Sequence, residues 1–416
     1  MRILTLLLVL FTLNIQAQQT ITLEKCYELV TKNYPLAKQT DLLNAKLTID
    51  KASINNEKLP KIFVNAQATY QSDVTQLPIK LPNTTIEPLN KDQYRATLDA
   101  NQLIYNGGLI DAQTKLKEIQ AQTQKQQTEV SLYQLKNKIN HYYFSILFLQ
   151  EKARVLQSKK DFLTEKNKEV KSAVKYGAIL PSSEQIIAVE LLKIEQQLTD
   201  IQFEKSKMLQ NLATITYTKF EDATQFVQPE IKEIVTPNSR PELALFDYQN
   251  QQMDALKSIV SKTNYPKITA FAQGGYGNPG LNMLDNSFQP FYTTGVKINW
   301  NIFDWNKAKK DQQSLEISKE IIATEKETFE LNTALQANEW TAEIGKLEQI
   351  ISTDESIVEL REKIQKSADA QMRNGVITTA EYLNEVTQLF ESKIAQKTHE
   401  IQLQLAKSTH QIISGN

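Results

Sequence analysis

The sequence YTTGVKINWNIF, residues 292–303, alternates apolar and polar side chains along almost its whole length. Tyr292, Val296 and Ile298 fall on one side of the alternation, and Thr293 and Lys297 fall on the other. In an extended chain, successive side chains point to opposite faces. The stretch therefore predicts a β-strand with one apolar and one polar face.

Three further stretches show the same alternation, including YRATLDANQLIY at residues 94–105. Two of the four stretches follow directly after prolines, Pro60 and Pro266. The predicted strands cover residues 61–71, 94–105, 267–277 and 291–303.

These strands belong to a repeat that runs through the chain. Pro35 and Pro241 are 206 residues apart, and Tyr94 and Tyr292 are 198 residues apart. Other landmark pairs keep one or the other offset, so a single longer loop in the first copy explains the difference. The sequence predicts two copies of one unit, residues 18–228 and 229–416.

Long helices are predicted after each strand pair. Residues 109–176 contain neither Gly nor Pro, and such a helix would reach about 100 Å at ~1.5 Å per residue. Leu132, Leu135 and Ile139 begin a series of apolar residues spaced by three and four, which indicates a heptad seam. The predicted helices cover residues 107–176, 181–217, 306–374 and 378–414.

Aromatic residues gather near the ends of the predicted strands. The candidates are Tyr70, Tyr94, Tyr105, Tyr276, Tyr292, Trp300 and Trp305. Because Tyr and Trp favour the interface between lipid and water, they predict two aromatic girdles around a membrane-spanning sheet. Strands of this length fit the thickness of a bilayer.

Four strands are too few to close a barrel, since bacterial barrels need at least about eight. Lipid does not tolerate an open sheet edge, so the strands of several chains must be pooled. A dimer would give eight strands with a filled interior, and a trimer would give twelve with more room for a lumen. The alternative is a soluble sandwich with its polar face outside, which fits poorly with such long helices.

Each predicted helix pair turns at a glycine, which permits a left-handed helix end. The turns are expected to lie farthest from the bilayer and to form the docking and gating surface. Their residues are Tyr176, Gly177, Ala178 and Ile179 in the first copy, and Asn374, Gly375, Val376 and Ile377 in the second.

The N-terminus, residues 1–17, reads as a secretory signal peptide with Arg2, an apolar run and a small residue, Ala17, at the cut. The net charge of −1 gives no electrostatic case for binding nucleic acid. The single cysteine, Cys26, has no partner for an internal disulfide.

Catalysis is not expected. The three histidines, His141, His399 and His410, lie apart and lack the spacing of metal ligands. The sequence contains no phosphate loop and no nucleophile motif, so we expect no catalytic residue, no cofactor and no metal site.

The order of these landmarks resembles the TolC-like outer-membrane efflux protein family over nearly the whole mature chain. The resemblance rests on the opening motif ITLE with Asn33-Tyr34-Pro35, its counterpart at residues 239–243, and the prolines before the first and third strands. It also rests on the strand-to-helix junction LIYNGG at residues 103–108. The second junction, IFDWN at residues 302–306, departs from the pattern because it lacks the glycines.

The resemblance implies a homotrimer with a 12-stranded barrel in the outer membrane and a helical tube in the periplasm. It implies contact with outer-membrane lipid, with a periplasmic adaptor at the helical turns, and through the adaptor with an inner-membrane pump. The implied function is the exit duct of a tripartite efflux pump, with type I protein secretion as the alternative. A periplasmic coiled-coil adaptor is a rival, but it would not need four lipid-length strands.

The resemblance also places a periplasmic gate after the second turn. Counted from Gly375, the family's two gate carboxylates fall on Glu381 and Asn384, and Glu385 follows. Position 384 is therefore an amide in this chain. Met372 and Ile377 stand where the best-known member has the Tyr and Arg that latch its gate.

Overall fold

The computed structural model describes residues 20–75, 88–231 and 239–415, and the predicted signal peptide lies outside them. The strands are β1 (Thr20–Ile21), β2 (Lys61–Tyr70), β3 (Asp92–Tyr105), β4 (Gln225–Phe226), β5 (Lys267–Asn278) and β6 (Gln289–Asn299). The helices are α1 (Leu23–Asn33), α2 (Gln39–Asn55), α3 (Leu109–Lys175), α4 (Ser182–Thr216), α5 (Pro241–Thr263), α6 (Lys307–Arg373) and α7 (Thr379–Ser414). The predicted class, four long strands combined with long helices, is confirmed.

The described residues form two compact units. One holds Thr40–Gln127 and Ala244–Lys326, and it contains the four long strands. The other holds the remaining described residues, and it contains the two helical turns. Each unit draws on both halves of the chain. The division into residues 18–228 and 229–416 stays a prediction.

The four long strands form one antiparallel sheet in the order β2-β3-β5-β6. Its register aligns the alternating side chains across the strands, so that Val64, Leu98, Gly274 and Tyr292 lie in one row. We call the face that carries this row the apolar face. The opposite face, which carries Asp99 in the neighbouring row, is called the polar face.

The last strand is shorter than predicted. β6 ends at Asn299, whereas the prediction extended it to residue 303. Asn299 pairs with Lys267, the first residue of β5. The residue before Lys267 is Pro266, which has no amide hydrogen to continue the ladder. Residues 300–306 therefore connect the sheet to α6.

The two strand-to-helix junctions share one backbone conformation although their residues differ. Gly107 and Gly108 have φ values of 70° and 73°, and Trp305 and Asn306 have 55° and 59°. At Gly107 a Cβ atom would lie 2.3 Å from Cβ of Tyr265. The first junction therefore requires glycine, whereas the second holds a tryptophan in the left-handed region, which costs roughly 1–2 kcal/mol.

The helical unit has two main apolar clusters. In the first, Tyr143 is fully buried, and its hydroxyl donates to the carbonyl oxygens of Val227 (2.6 Å) and Ile21 (3.0 Å). These contacts hold the parallel pair β1 and β4, which the sequence did not predict. Gln150 adds bonds to both backbone groups of Phe226.

The second cluster lies beneath the helical turns. Buried residues repeat every seven positions along both helices of the first pair, at Leu156, Leu163 and Val170 in α3 and at Ile187, Ile194 and Ile201 in α4. The second helix pair contributes Tyr382 and Val386. Among the described residues, no helix combines the length and the apolar character needed to cross a bilayer.

Candidate functional site

The apolar face of the sheet is exposed. Val64 is 79% exposed and Tyr292 is 80% exposed, and Leu98, Val296 and Ile298 are exposed as well. In the four described strands, the only charged residue whose register places it on this face is Asp92, the first residue of β3. A sheet face that is both exposed and apolar marks a surface that meets another protein or lipid.

All seven aromatic girdle candidates are exposed. Tyr70, Tyr94 and Tyr276 lie toward one end of the sheet, and Tyr105, Trp300 and Trp305 lie at the other. Tyr292 lies between the two groups, in the row of Val64. The spacing of eleven residues between Tyr94 and Tyr105 corresponds to about 36 Å along a strand, or about 28 Å across a bilayer at a tilt of about 40°. An outward apolar band of an outer-membrane barrel is about 25 Å tall.

Phe288 joins the first group of aromatics. Its ring stacks on Tyr276 with a centroid distance of 5.6 Å and on Tyr94 with 6.3 Å. The sequence analysis missed this residue because it lies before β6, outside the alternating pattern.

The polar face carries a hydrogen-bonded network across three strands. The Asp99 carboxylate accepts from Nδ2 of Asn65 (2.7 Å), from Oγ1 of Thr97 (2.8 Å) and from Nε2 of Gln273. Thr97 is only 7% exposed. The network joins β2, β3 and β5 through side chains on the polar face, in addition to their backbone ladders.

The two helical turns end α3 and α6 with the same hydrogen bonds. The amide of Ala178 donates to the carbonyl of Ala173 (2.9 Å), and the amide of Val376 donates to that of Gln371 (2.9 Å). The glycines between them, Gly177 and Gly375, have φ values of 72° and 71°. This six-to-one bond with a left-handed residue is the Schellman helix end.

The eight predicted turn residues divide by exposure. Six are exposed, namely Tyr176, Gly177, Ala178, Asn374, Gly375 and Val376. Ile179 and Ile377 are half-buried and pack against the second cluster. Each turn is therefore anchored by one isoleucine and presents its other predicted residues to solvent.

Glu381 has a structural role in this fold. Its carboxylate accepts from the amide of Thr378 (2.7 Å), and its own amide donates to Oγ1 of Thr378 (3.2 Å). The pair forms a capping box at the start of α7. The hydrogen bond from the Thr378 amide lowers the pKa of the Glu381 carboxyl.

The other two gate candidates have different surroundings. The Glu385 carboxylate pairs with the Arg361 guanidinium of α6 at 3.2 Å. Asn384 is exposed and lines a groove of about 500 Å³ between α4 and α7, together with Gln185 and Ile186.

Two buried lysines beneath the turns were missed by the sequence analysis. Nζ of Lys159 lies 2.7 Å from Glu190, and Nζ of Lys166 lies 2.6 Å from Asp369. The lysines are seven residues apart, so they occupy one position of the heptad. A polar residue at a heptad core position fixes helix register. The spacing of seven residues between the two lysines is the sequence pattern that could have identified them. Among the described residues, no group of three or more His, Cys, Asp or Glu side chains is placed to hold a metal ion.

Several solved structures of membrane channels and outer-membrane proteins match this architecture. The chain superposes on CusC, from a study of folding and transmembrane channel formation, with a TM-score of 0.70 at 12% identity, covering 95% of this chain and 92% of CusC. It matches the outer membrane protein VceC of Vibrio cholerae with a TM-score of 0.67 at 14% identity, covering 95% and 96%. It matches the MtrE outer membrane channel of Neisseria gonorrhoeae with 0.64 at 12% identity, covering 94% and 89%.

The chain has the fold of these outer-membrane channels. The resemblance to the TolC-like family is thereby confirmed at the level of the fold. No protein-family model and no curated protein matches the sequence. Because the identities are so low, the TolC-like fold is carried here by the pattern of elements rather than by shared residues.

Proposed function

We propose that this chain is one subunit of a homotrimeric exit duct in the outer membrane, serving a tripartite efflux pump. The observation that carries the proposal is the exposed apolar face, which bears aromatic residues at both ends and no charge between them. Lipid is the environment that suits such a face. The likeness to outer-membrane channels supports the same function, and the proposed duct acts by conduction and needs no catalytic residue.

Neighbouring residues of β2 offer a matched test of membrane insertion. Val64 lies on the apolar face, and Asn65 lies on the polar face beside Asp99. A lysine facing lipid near the bilayer centre costs about 2–4 kcal/mol. We expect Val64→Lys to reduce the heat-modifiable oligomer in the outer-membrane fraction, and Asn65→Lys to leave it in place. A wild-type protein recovered as a soluble periplasmic monomer would overturn the proposal.

The helical turns are the proposed docking site for a periplasmic adaptor. Their support is that six of the eight residues are exposed. In addition, apart from the adjoining residues of the chain, no described residue lies within 4 Å of a Cβ atom added at Gly177 or Gly375. Gly375→Asp and Gly375→Asn add side chains of nearly equal size, and both residues tolerate the left-handed conformation. We expect Gly375→Asp to impair efflux of small molecules and Gly375→Asn to leave efflux unchanged. Both variants should still form the membrane-bound oligomer. Unimpaired efflux by the aspartate variant would remove the docking proposal.

The gate is proposed to lie next to these turns, with Asn384 as its lining residue. Asn384 is exposed, whereas Glu381 and Glu385 already hold partners within the chain. An amide in this position would narrow the duct without adding a charge.

A further inference from the structure

Charge is distributed unequally over the two faces of the sheet. The register places Lys61, Lys267 and Lys297 on the polar face near the end at which the strands join the helices. Arg95 lies on the same face toward the other end. Asp99 is the only carboxylate that the four described strands place on this face.

The single carboxylate is already satisfied by neutral donors. Asp99 accepts hydrogen bonds from Asn65, Thr97 and Gln273, and it pairs with no cation among the described residues. These three groups fix the position of its negative charge on the polar face. It therefore does not neutralise a lysine directly.

The four cations are not paired with carboxylates. Lys61, Lys267, Lys297 and Arg95 are exposed, and none forms an ion pair within the part of the chain that the structure describes. The Arg95 guanidinium instead lies 5.2 Å from the centre of the Phe291 ring. The polar face thus presents free positive charge to the water in front of it.

We infer that this face gives the duct a cationic lining at its membrane end, which favours passage of small anions that carry carboxylate or phosphate groups. The inference rests on the proposed function, because only a closed sheet turns the polar face toward a lumen. Charges of one sign lining a cavity with low-dielectric walls raise the local concentration of counter-ions. At physiological salt the screening length is about 8 Å. Lys267 and Lys297 lie on neighbouring strands, with Lys297 opposite Thr269, and this diagonal spacing of about 8 Å lets their charges act together.

Single-channel recording tests the inference with the full-length oligomer in planar bilayers under an asymmetric KCl gradient. We expect the reversal potential to take the sign of chloride selectivity. Replacement of the three lysines together, Lys61→Gln, Lys267→Gln and Lys297→Gln, should shift it toward or past zero. The matched control is the same triple replacement by arginine, which keeps the charge and should leave the reversal potential unchanged.

The outcomes separate the two proposals. If the channels conduct but prefer potassium, or if the glutamine replacements do not change their selectivity, the cationic lining is overturned. The proposed exit-duct function is unaffected by either result. A purified membrane oligomer that never conducts overturns the exit-duct function and this inference with it.

Discussion

The turn between α3 and α4 and the turn between α6 and α7 end their first helices in the same way but begin their second helices differently. Both α3 and α6 end with a left-handed glycine and a six-to-one hydrogen bond. The start of α7 has the capping box of Thr378 and Glu381. The start of α4 has Pro181, with φ of −56° and no side-chain bond to the helix.

The difference shows two ways to fix the start of a helix. Proline restricts φ by its ring, and that restriction is independent of pH. The capping box depends on hydrogen bonds to a carboxylate, and it is strongest while that carboxylate is ionised. Glu381 is thus used to hold the second turn, although the resemblance had placed it in the gate.

The largest expected effect tests the helix end that both turns share. A β-branched residue is strained at positive φ, so we expect Gly177→Val and Gly375→Val each to lower the stability by about 1–3 kcal/mol. The effects should be similar, because among the described residues the space around a Cβ atom is open at both glycines. The measurement is the thermal unfolding midpoint of the purified oligomer by circular dichroism.

Asparagine at the same two positions is the control. It tolerates the left-handed region, so Gly177→Asn and Gly375→Asn should lose less stability than the valine variants. A loss confined to one turn, or equal losses for valine and asparagine, would contradict the view that backbone strain alone decides these positions.

The sequence predicted the features that depend on simple periodicity. The period of two identified the faces of all four long strands, and the absence of Gly and Pro identified α3. Glycine itself marked the ends of α3 and α6. In each case the property is carried by local residue types, so no knowledge of distant contacts was needed.

The features that were missed depend on contacts or on competition between two interpretations. Trp305 gives no sign of a left-handed residue, because bulky residues usually avoid that conformation. Asn306 is of a type that tolerates it, but one asparagine does not identify a pair of left-handed residues. The burial of Lys159 and Lys166 depends on contacts with other helices, namely Glu190 of α4, Asp369 of α6 and Thr387 of α7. By contrast, Thr378 and Glu381 have the spacing of a capping box, but the position of Glu381 relative to the second turn favoured the gate interpretation.

An intermediate effect distinguishes the start of α7 from the start of α4. Removing the cap hydroxyl with Thr378→Ala should destabilise the start of α7 by about 1 kcal/mol. Ser182→Ala, at the exposed first residue of α4, removes a hydroxyl of the same kind and should change the stability by less than about 0.5 kcal/mol. Hydrogen exchange of the amides in the first turn of each helix measures both. Equal loss of protection at the two sites would show that the two helix starts are held alike.

The smallest effect concerns pH. Hydrogen bonding from Thr378 lowers the pKa of Glu381 below its ordinary value of 4.5, so the ionised form favours the folded turn. The contribution is fully present above that ordinary value and is lost as the pH falls through the lowered pKa of the folded state. We therefore expect the start of α7 to lose the protection that depends on Glu381 in acid.

Glu381→Gln isolates this effect, since the amide oxygen still accepts a hydrogen bond but does not titrate in this range. At the first turn of α7, the amides of the wild type should exchange more slowly than those of Glu381→Gln near neutral pH. In acid the ratio of the two exchange rates should approach one. The same ratio at residues 182–185 should stay constant throughout. If the ratio at α7 does not change with pH, the ionised carboxylate does not hold the second turn, and Glu381 becomes available to the gate again.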